Sequence, residues 1–124
     1  SVEEIQKDRV RSAKHAAEQW GVIVVLKGSH SVVASPDGHV AVSPWAVPAL
    51  ATAGTGDVLA GAIAGFLSQG VPPFEASMCG VYIHGLAGYM ESMQGNAGVL
   101  ASDIADALPR AIHEVRTEDL LVEW

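Results

Sequence analysis

The chain has 124 residues, 49% of them hydrophobic, and a formal net charge of −7 at pH 7. This length suits one domain or part of one, and the apolar content allows a packed core and argues against a disordered chain. The negative charge disfavours nucleic acid or an anionic membrane surface as a general partner, but it does not exclude a small anionic ligand at a local site.

The first predicted element is a helix that starts at a capping box, Ser1–Glu4, and runs to about Trp20. Gly21 is a typical residue to follow a helix C-terminus. The basic residues of this helix, Arg9 among them, are expected on its solvated side. The next residues, Val22–Leu26, form an apolar run that is typical of a strand buried on both faces.

A hairpin is predicted next. Residues 31–35 and 38–43 have the composition of strands, and Pro36-Asp37-Gly38 between them is a strong turn signal. An irregular stretch, residues 44–53, then leads to a loop of small residues.

Two helices follow that loop. The first, from Gly56 to Gln69, is apolar nearly all round and also carries a face of small residues, so we expect it to be buried on several sides. The second, from Phe74 to about Met93, contains three glycines, which indicate close helix-to-helix contact. It also contains the only cysteine, Cys79, for which the apolar neighbours predict a buried core position.

At the end of the chain, Ser102 is predicted to cap a short helix and Pro109 to begin another, which continues to about Val115. The expected fold is therefore α/β and layered, with a buried strand, a β-hairpin and several helices. We find no signal peptide and no apolar segment of about 18 residues, so we expect a cytoplasmic protein that does not enter a membrane.

The loop Ala53–Gly56 has the chemistry of an anion site. Glycines allow the backbone to approach a ligand closely, and the free N–H groups of the following helix attract negative charge. Asp57, at the mouth of this helix, would repel a phosphate, but it could accept a proton from a hydroxyl that attacks one. The alternative is that Asp57 only favours the helix dipole.

Lys27-Gly28 lies at the end of the first predicted strand, where ligands bind in open α/β sheets. Lys27 could reach a phosphate or ribose as a flexible cation, or it could be an ordinary surface lysine.

Four segments, taken in order, carry a resemblance to a known family: Lys27–Ser31, Ala51–Gly61 (ATAGTGDVLAG), His84–Gly88 and Ala101–Pro109. Together they resemble the C-terminal half of the ribokinase-like ATP- or ADP-dependent NAD(P)H-hydrate dehydratases. The resemblance covers nearly the whole chain, so residues 1–124 are expected to be the C-terminal part of a single ribokinase-like nucleotide-binding domain. An N-terminal half is then missing, and we expect the chain to be a fragment with little activity alone.

The resemblance also implies roles for individual residues. Asp57 would be the catalytic base and would contact the hydrated nicotinamide substrate. The loop N–H groups of Gly54 and Thr55 would complete the anion hole. The nucleotide contacts implied in this way are Lys27, Gly28, Ser29, His30, Ser31, Gly54, Thr55 and Gly56.

Two other residues, His84 and Trp45, have alternative interpretations. His84 is expected to be structural, or else to line the site near the adenine. Trp45 could cover a bound purine, although a buried aromatic anchor is the commoner role. The chain departs from the family where Ala46-Val47 replaces a frequent Gly-Asn pair.

The function implied is the dehydration of hydrated NADH or NADPH, with ATP or ADP and Mg²⁺ as cofactors and with no metal held by protein side chains. A homo-oligomer is expected. The alternatives are a small-molecule kinase of the same fold, acting on a sugar or hydroxymethylpyrimidine, and a nucleotide-binding fragment without turnover.

Overall fold

A computed structural model describes residues 8–94 and 98–122, with side chains as far as Thr117. Its elements, in chain order, are α1 (Arg9–Trp20), β1 (Val24–Leu26), β2 (Val32–Ala34), β3 (Val40–Val42), a 3₁₀ helix (Pro48–Ala51), α2 (Thr55–Ser68), α3 (Pro73–Met93) and α4 (Ala101–Val122). Among the residues described, no helix combines the length and apolarity needed to cross a membrane.

The start of α1 differs from the prediction. Asp8 has non-helical backbone angles and caps the helix by accepting from the Arg11 N–H, so the helix begins at Arg9. The helix expected from Ser1 is therefore not continuous through Asp8, and the capping box at Ser1–Glu4 lies outside the described residues. Gly21 ends α1 in the left-handed conformation, with φ of 65°, as predicted.

The three strands form an antiparallel sheet in the order β1-β2-β3. Val33 of β2 is paired with Val25 on one side and with Ala41 on the other. The hairpin between β2 and β3 turns at Pro36-Asp37-Gly38 as predicted, and the Gly38 N–H donates to Ser35 O at 3.1 Å.

The sheet lies between two helical layers. Successive side chains of a strand point to opposite faces, and here each face packs against helices. On one side, Val32 and Ala34 pack against Ala13 and Ala17 of α1. On the other, Val33 packs with Leu59 of α2 and Val81 of α3. The α/β/α class is confirmed, but the strand buried along its length is β2, since β1 is only half-buried.

A second core joins the helices. Ile83 and Ala87 of α3 are buried together with Ile104, Ala107 and Ala111 of α4. This contact explains why α4 does not stop where predicted: buried residues lie on both sides of Pro109, which sits inside one continuous helix. A proline within a helix loses one hydrogen bond, and here the packing on α3 offsets that cost.

The cap of α4 also differs from the expected one. The N–H of Leu100 donates to the Asp103 carboxylate at 2.8 Å, which is half of a capping box. Asp103, three residues into the helix, therefore caps it in place of Ser102.

Two burial predictions for α2 and α3 are wrong. On the small-residue face of α2, Ala60, Gly61 and Ala64 are exposed and Gly65 is half-buried. Cys79 is exposed as well, because it lies one turn after the exposed Glu75 on the outer side of α3.

Candidate functional site

A cavity of about 430 Å³ lies between the segment that follows β1 and the N-terminus of α2. It brings together the two segments that the sequence singled out, although they are separated by more than 20 residues along the chain. The cavity is lined by Lys27, Gly28, Ser29, Ser31, Ala46, Val47, Pro48, Leu50, Ala51, Thr55, Gly56, Leu59 and His84.

The glycine loop leaves backbone donors free at the start of α2. The N–H groups of Gly56 and Asp57 make no hydrogen bond to another described residue. The N–H of Thr55 already donates to Thr52 O at 3.3 Å, so it is not one of the free donors, and its place in an anion hole stays a prediction. Gly54 adopts φ of 90° and lies close to Ala101, since a Cβ on Gly54 would be 3.2 Å from the Ala101 Cβ.

Thr55 instead fixes the loop. Its hydroxyl donates to the carbonyls of Leu50 and Thr52, at 2.5 and 2.9 Å, and its own carbonyl accepts from His84 Nε2 at 2.9 Å. Because a carbonyl can only accept, His84 carries its proton on Nε2. These bonds tie the loop to the 3₁₀ helix and to α3.

His84 is buried and lines the cavity floor. Burial lowers the pKa of His84 below its usual value; the bond to Thr55 O opposes this shift and the nearby charge of Lys27 adds to it. The imidazole is therefore neutral around pH 7, and its bond to Thr55 supports the structural role that the sequence favoured.

Lys27 meets the glycine loop directly. A Cβ placed on Gly56 would lie 2.8 Å from Lys27 Nζ, so the ammonium group occupies the space that the missing side chain leaves. The cation thus stands beside the free N–H groups of Gly56 and Asp57. Positive charge and unpaired amide donors at one point are the features of a phosphate site.

The rest of the Lys27 segment forms a tight turn. The N–H of Gly28 donates to the Ser31 hydroxyl at 3.2 Å, which closes the turn. His30 has a positive φ of 55°, and its ring bonds Ser43 O at 3.0 Å, so it is anchored away from the cavity lining.

Asp57 lies outside the cavity lining, on the exposed side of the first turn of α2. It directly follows Gly56 in the chain, so both residues lie at the N-terminus of α2. The structure therefore separates two kinds of predicted site residue: the lining group around Lys27 and Gly56, and an exposed carboxylate at the rim. The described residues contain no group of three His, Cys, Asp or Glu side chains that could hold a metal.

Trp45 is an aromatic anchor. Its ring packs at tilted angles against Tyr82 and Tyr89, at centroid distances of 5.5 and 5.4 Å, and it fills the space over Gly85. It does not line the cavity, which argues against a cover for a purine. The residues after it, Ala46 and Val47, line the cavity with apolar side chains.

One contact was missed by the sequence. Arg9 was expected on the solvated side of α1, yet its guanidinium donates to backbone carbonyls of the Lys27 segment, including Leu26 O at 2.9 Å. No spacing pattern in the sequence connects Arg9, in α1, to the loop that follows β1.

Comparison with solved structures agrees with the fold. The ADP/ATP-dependent NAD(P)H-hydrate dehydratase of Bacillus subtilis, co-crystallised with ATP and Mg²⁺ and soaked with CoA, matches with a TM-score of 0.86 and 38% identity over 91% of this chain and 42% of that one. The arrangement is thus the ribokinase-like one that the motifs predicted.

Residues 1–110 match the sequence profile of the NAD(P)H-hydrate dehydratase family, and the chain belongs to this family. The ADP-dependent (S)-NAD(P)H-hydrate dehydratase of Neisseria meningitidis is 44% identical over 86% of this chain and 37% of its own length. The bifunctional NAD(P)H-hydrate repair enzyme Nnr of Moorella thermoacetica is 42% identical over 92% of this chain and 22% of its own length. The chain thus spans between a fifth and two fifths of these relatives.

Proposed function

We propose that this chain supplies the nucleotide side of an ADP- or ATP-dependent enzyme that dehydrates hydrated NADH or NADPH. The observation that carries the proposal is the close approach of Lys27 Nζ to Gly56, beside two N–H groups that make no hydrogen bond to another described residue. Membership of the family and the names of the relatives support the same reaction.

The proposed nucleotide site fits the residues that line the cavity. In a chain with net charge −7, Lys27 and the N-terminus of α2 provide local positive potential for phosphates. The apolar lining residues Ala46, Val47 and Leu59 would pack against the less polar part of the ligand.

In the proposed reaction, a bound nucleotide supplies the phosphoryl group that turns the ring hydroxyl of the substrate into a leaving group. Asp57 accepts the hydroxyl proton as the oxygen attacks the phosphorus. The N–H groups of Gly56 and Asp57 donate to the phosphoryl oxygens as their charge increases. The nucleotide leaves with one phosphate fewer. Breaking the C–O bond then releases phosphate while the neighbouring ring carbon gives up a proton to water, and the ring double bond is restored. Mg²⁺ would be held mainly by phosphate oxygens.

The test is an activity assay on the product of the native gene. It is incubated with hydrated NADH or NADPH and either ATP or ADP, and the absorbance of the restored dihydronicotinamide is followed. Parallel reactions contain ATP with a sugar or with hydroxymethylpyrimidine. We expect turnover only with the hydrates; phosphorylation of the sugar or pyrimidine in its place would overturn the proposal in favour of a kinase.

The position of the nucleotide is tested separately. Soaking with AMP or ATP should give density between the Lys27 turn and the start of α2, and density elsewhere would refute the assignment. A homo-oligomer remains a prediction that light scattering of the native protein can check.

A further inference from the structure

Arg9 makes an unusual set of contacts for a residue in the first turn of a helix. Its guanidinium donates to three carbonyls of the segment after β1: Leu26 O at 2.9 Å, Ser29 O, and His30 O at 3.5 Å. A cation is disfavoured at a helix N-terminus by the dipole, so its position is better explained by these carbonyls than by α1 itself.

The turn is shaped to admit the guanidinium. Gly28 has φ of 150°, and a Cβ there would lie 2.9 Å from Arg9 Nη2. Any larger residue at this position would push the guanidinium out. Gly28 thus permits the approach of Arg9 to the backbone of the turn.

The peptide between Ser29 and His30 is held from both sides. Its carbonyl accepts from Arg9, and its N–H donates to Trp45 O at 2.9 Å. In a trans peptide the C=O and N–H groups point in opposite directions, so these two bonds together fix the orientation of the peptide plane. Arg9 also holds the carbonyl of the peptide that leads into Lys27, through its bond to Leu26 O at 2.9 Å.

We propose that Arg9 is a positioning residue for the nucleotide site. It holds the turn of residues 26–30 in the shape that brings Lys27 Nζ against Gly56, and it acts without touching the ligand. This inference rests on the proposed function, because it assumes that the cavity beside Lys27 binds an adenine nucleotide.

The experiment compares Arg9→Gln, Arg9→Lys and the control Arg11→Gln in the native gene product. Arg11 is a matched control because it lies on the same helix, carries the same charge and is paired only with Asp8 at 3.1 Å among the described residues. For each protein we measure the dissociation constant for ATP by calorimetry, the melting temperature without ligand, and kcat and KM for both substrates.

We expect Arg9→Gln to weaken ATP binding about tenfold, the scale of one or more lost hydrogen bonds to a charged group. The kcat at saturating nucleotide and the KM for the hydrate should stay within about twofold, since Lys27 and Asp57 remain. Arg9→Lys should recover only part of the affinity because an ammonium lacks the planar fork. Arg11→Gln should bind as the wild type does.

Three results would overturn the inference. Wild-type affinity in Arg9→Lys would show that only the charge matters. An equal loss in Arg11→Gln would show a general electrostatic effect. A lower melting temperature with unchanged ATP affinity in Arg9→Gln would make Arg9 purely structural. If Arg9→Gln does not fold, Arg9→Lys alone decides between the first result and the proposal. Failure of the wild-type protein to bind either ATP or ADP would instead refute the proposed function.

Discussion

The consecutive helices α2 and α3 are both rich in glycine and alanine, and they use these residues differently. In α3, Gly80, Gly85 and Gly88 are buried, and each lies against a side chain from another element. In α2, a Cβ on Gly61 or Gly65 would meet nothing within 4 Å. Glycine in a helix sequence is therefore not enough to predict close packing, because the glycines of α3 meet a neighbouring element and Gly61 and Gly65 of α2 do not.

The difference matches what each helix contributes. In α3 the glycines let Ile63, Trp45 and Leu50 pack onto the helix, and His84 reaches back to Thr55. α2 begins with two N–H groups, those of Gly56 and Asp57, that make no hydrogen bond to another described residue, and the Asp57 side chain is exposed. We infer that α3 mainly stabilises the fold, whereas α2 carries the chemistry, and the following substitutions test this division.

The largest effect is expected from Asp57→Asn. Asparagine keeps the size of the side chain but loses the base, so kcat should fall by about 10²–10⁴-fold, with ATP affinity similar or slightly higher. The measurement is steady-state kinetics with hydrated NADH. Glu75→Gln, which alters the exposed acid in the first turn of α3, is the matched control and should keep full activity. Robust turnover by Asp57→Asn would contradict the role of Asp57 as a base and would leave it the role of stabilising the helix.

Gly85→Ala should give the next largest effect, this time on stability. The new methyl group would overlap the indole of Trp45, which is itself held between Tyr82 and Tyr89. Overpacking of this kind costs about 1–3 kcal/mol in the free energy of unfolding. Denaturant titration measures it, and an unchanged midpoint would show that Trp45 can move away freely.

Gly56→Ala should act on binding more than on folding. The added methyl group would lie 2.8 Å from Lys27 Nζ, the flexible end of a side chain, so it displaces the ammonium at little cost to stability. We expect ATP affinity to fall by about tenfold, comparable to the loss of one charged hydrogen bond. Calorimetry with ATP checks this; a variant that loses stability but binds ATP normally would count against a phosphate site here.

The smallest effect is expected from Gly61→Ala. This glycine is exposed inside α2, where alanine is the better helix former, so stability should rise by about 0.5–1 kcal/mol. Unfolding of the native gene product measures the change. A loss of stability there would mean that a part of the protein outside the described residues covers this face, and the contrast with α3 would then disappear.

Local signals predicted much of the fold. The hairpin turn at Pro36–Gly38, the C-terminal cap at Gly21 and the bounds of α2 and α3 to within about one residue all follow from short-range chemistry. The error at Pro109 arose because packing overrode a local preference. Pro109 stays inside α4 because buried residues on either side of it contact α3, and no local pattern reports that contact.

The sequence predicted the segments that form the candidate site better than it predicted the contacts between them. The motifs located Lys27 and Gly56, and the structure brings these two together. The sequence did not reveal that the Thr55 N–H is already used, nor that Arg9 supports the turn, because both depend on the path of the backbone between elements. Resemblance supplied the residue roles, and those roles remain predictions until the variants are measured.

The packing of Trp45 has a consequence for spectroscopy. Its indole N–H is buried without an acceptor among the described residues, whereas Trp20 is 66% exposed. The two indoles should therefore differ in emission wavelength and in quenching by iodide. Ala46 and Val47, the next residues along the chain, line the cavity. With Trp20→Phe and Trp124→Phe, Trp45 is the single tryptophan of this chain, and its emission makes the cavity wall observable in solution without an added label.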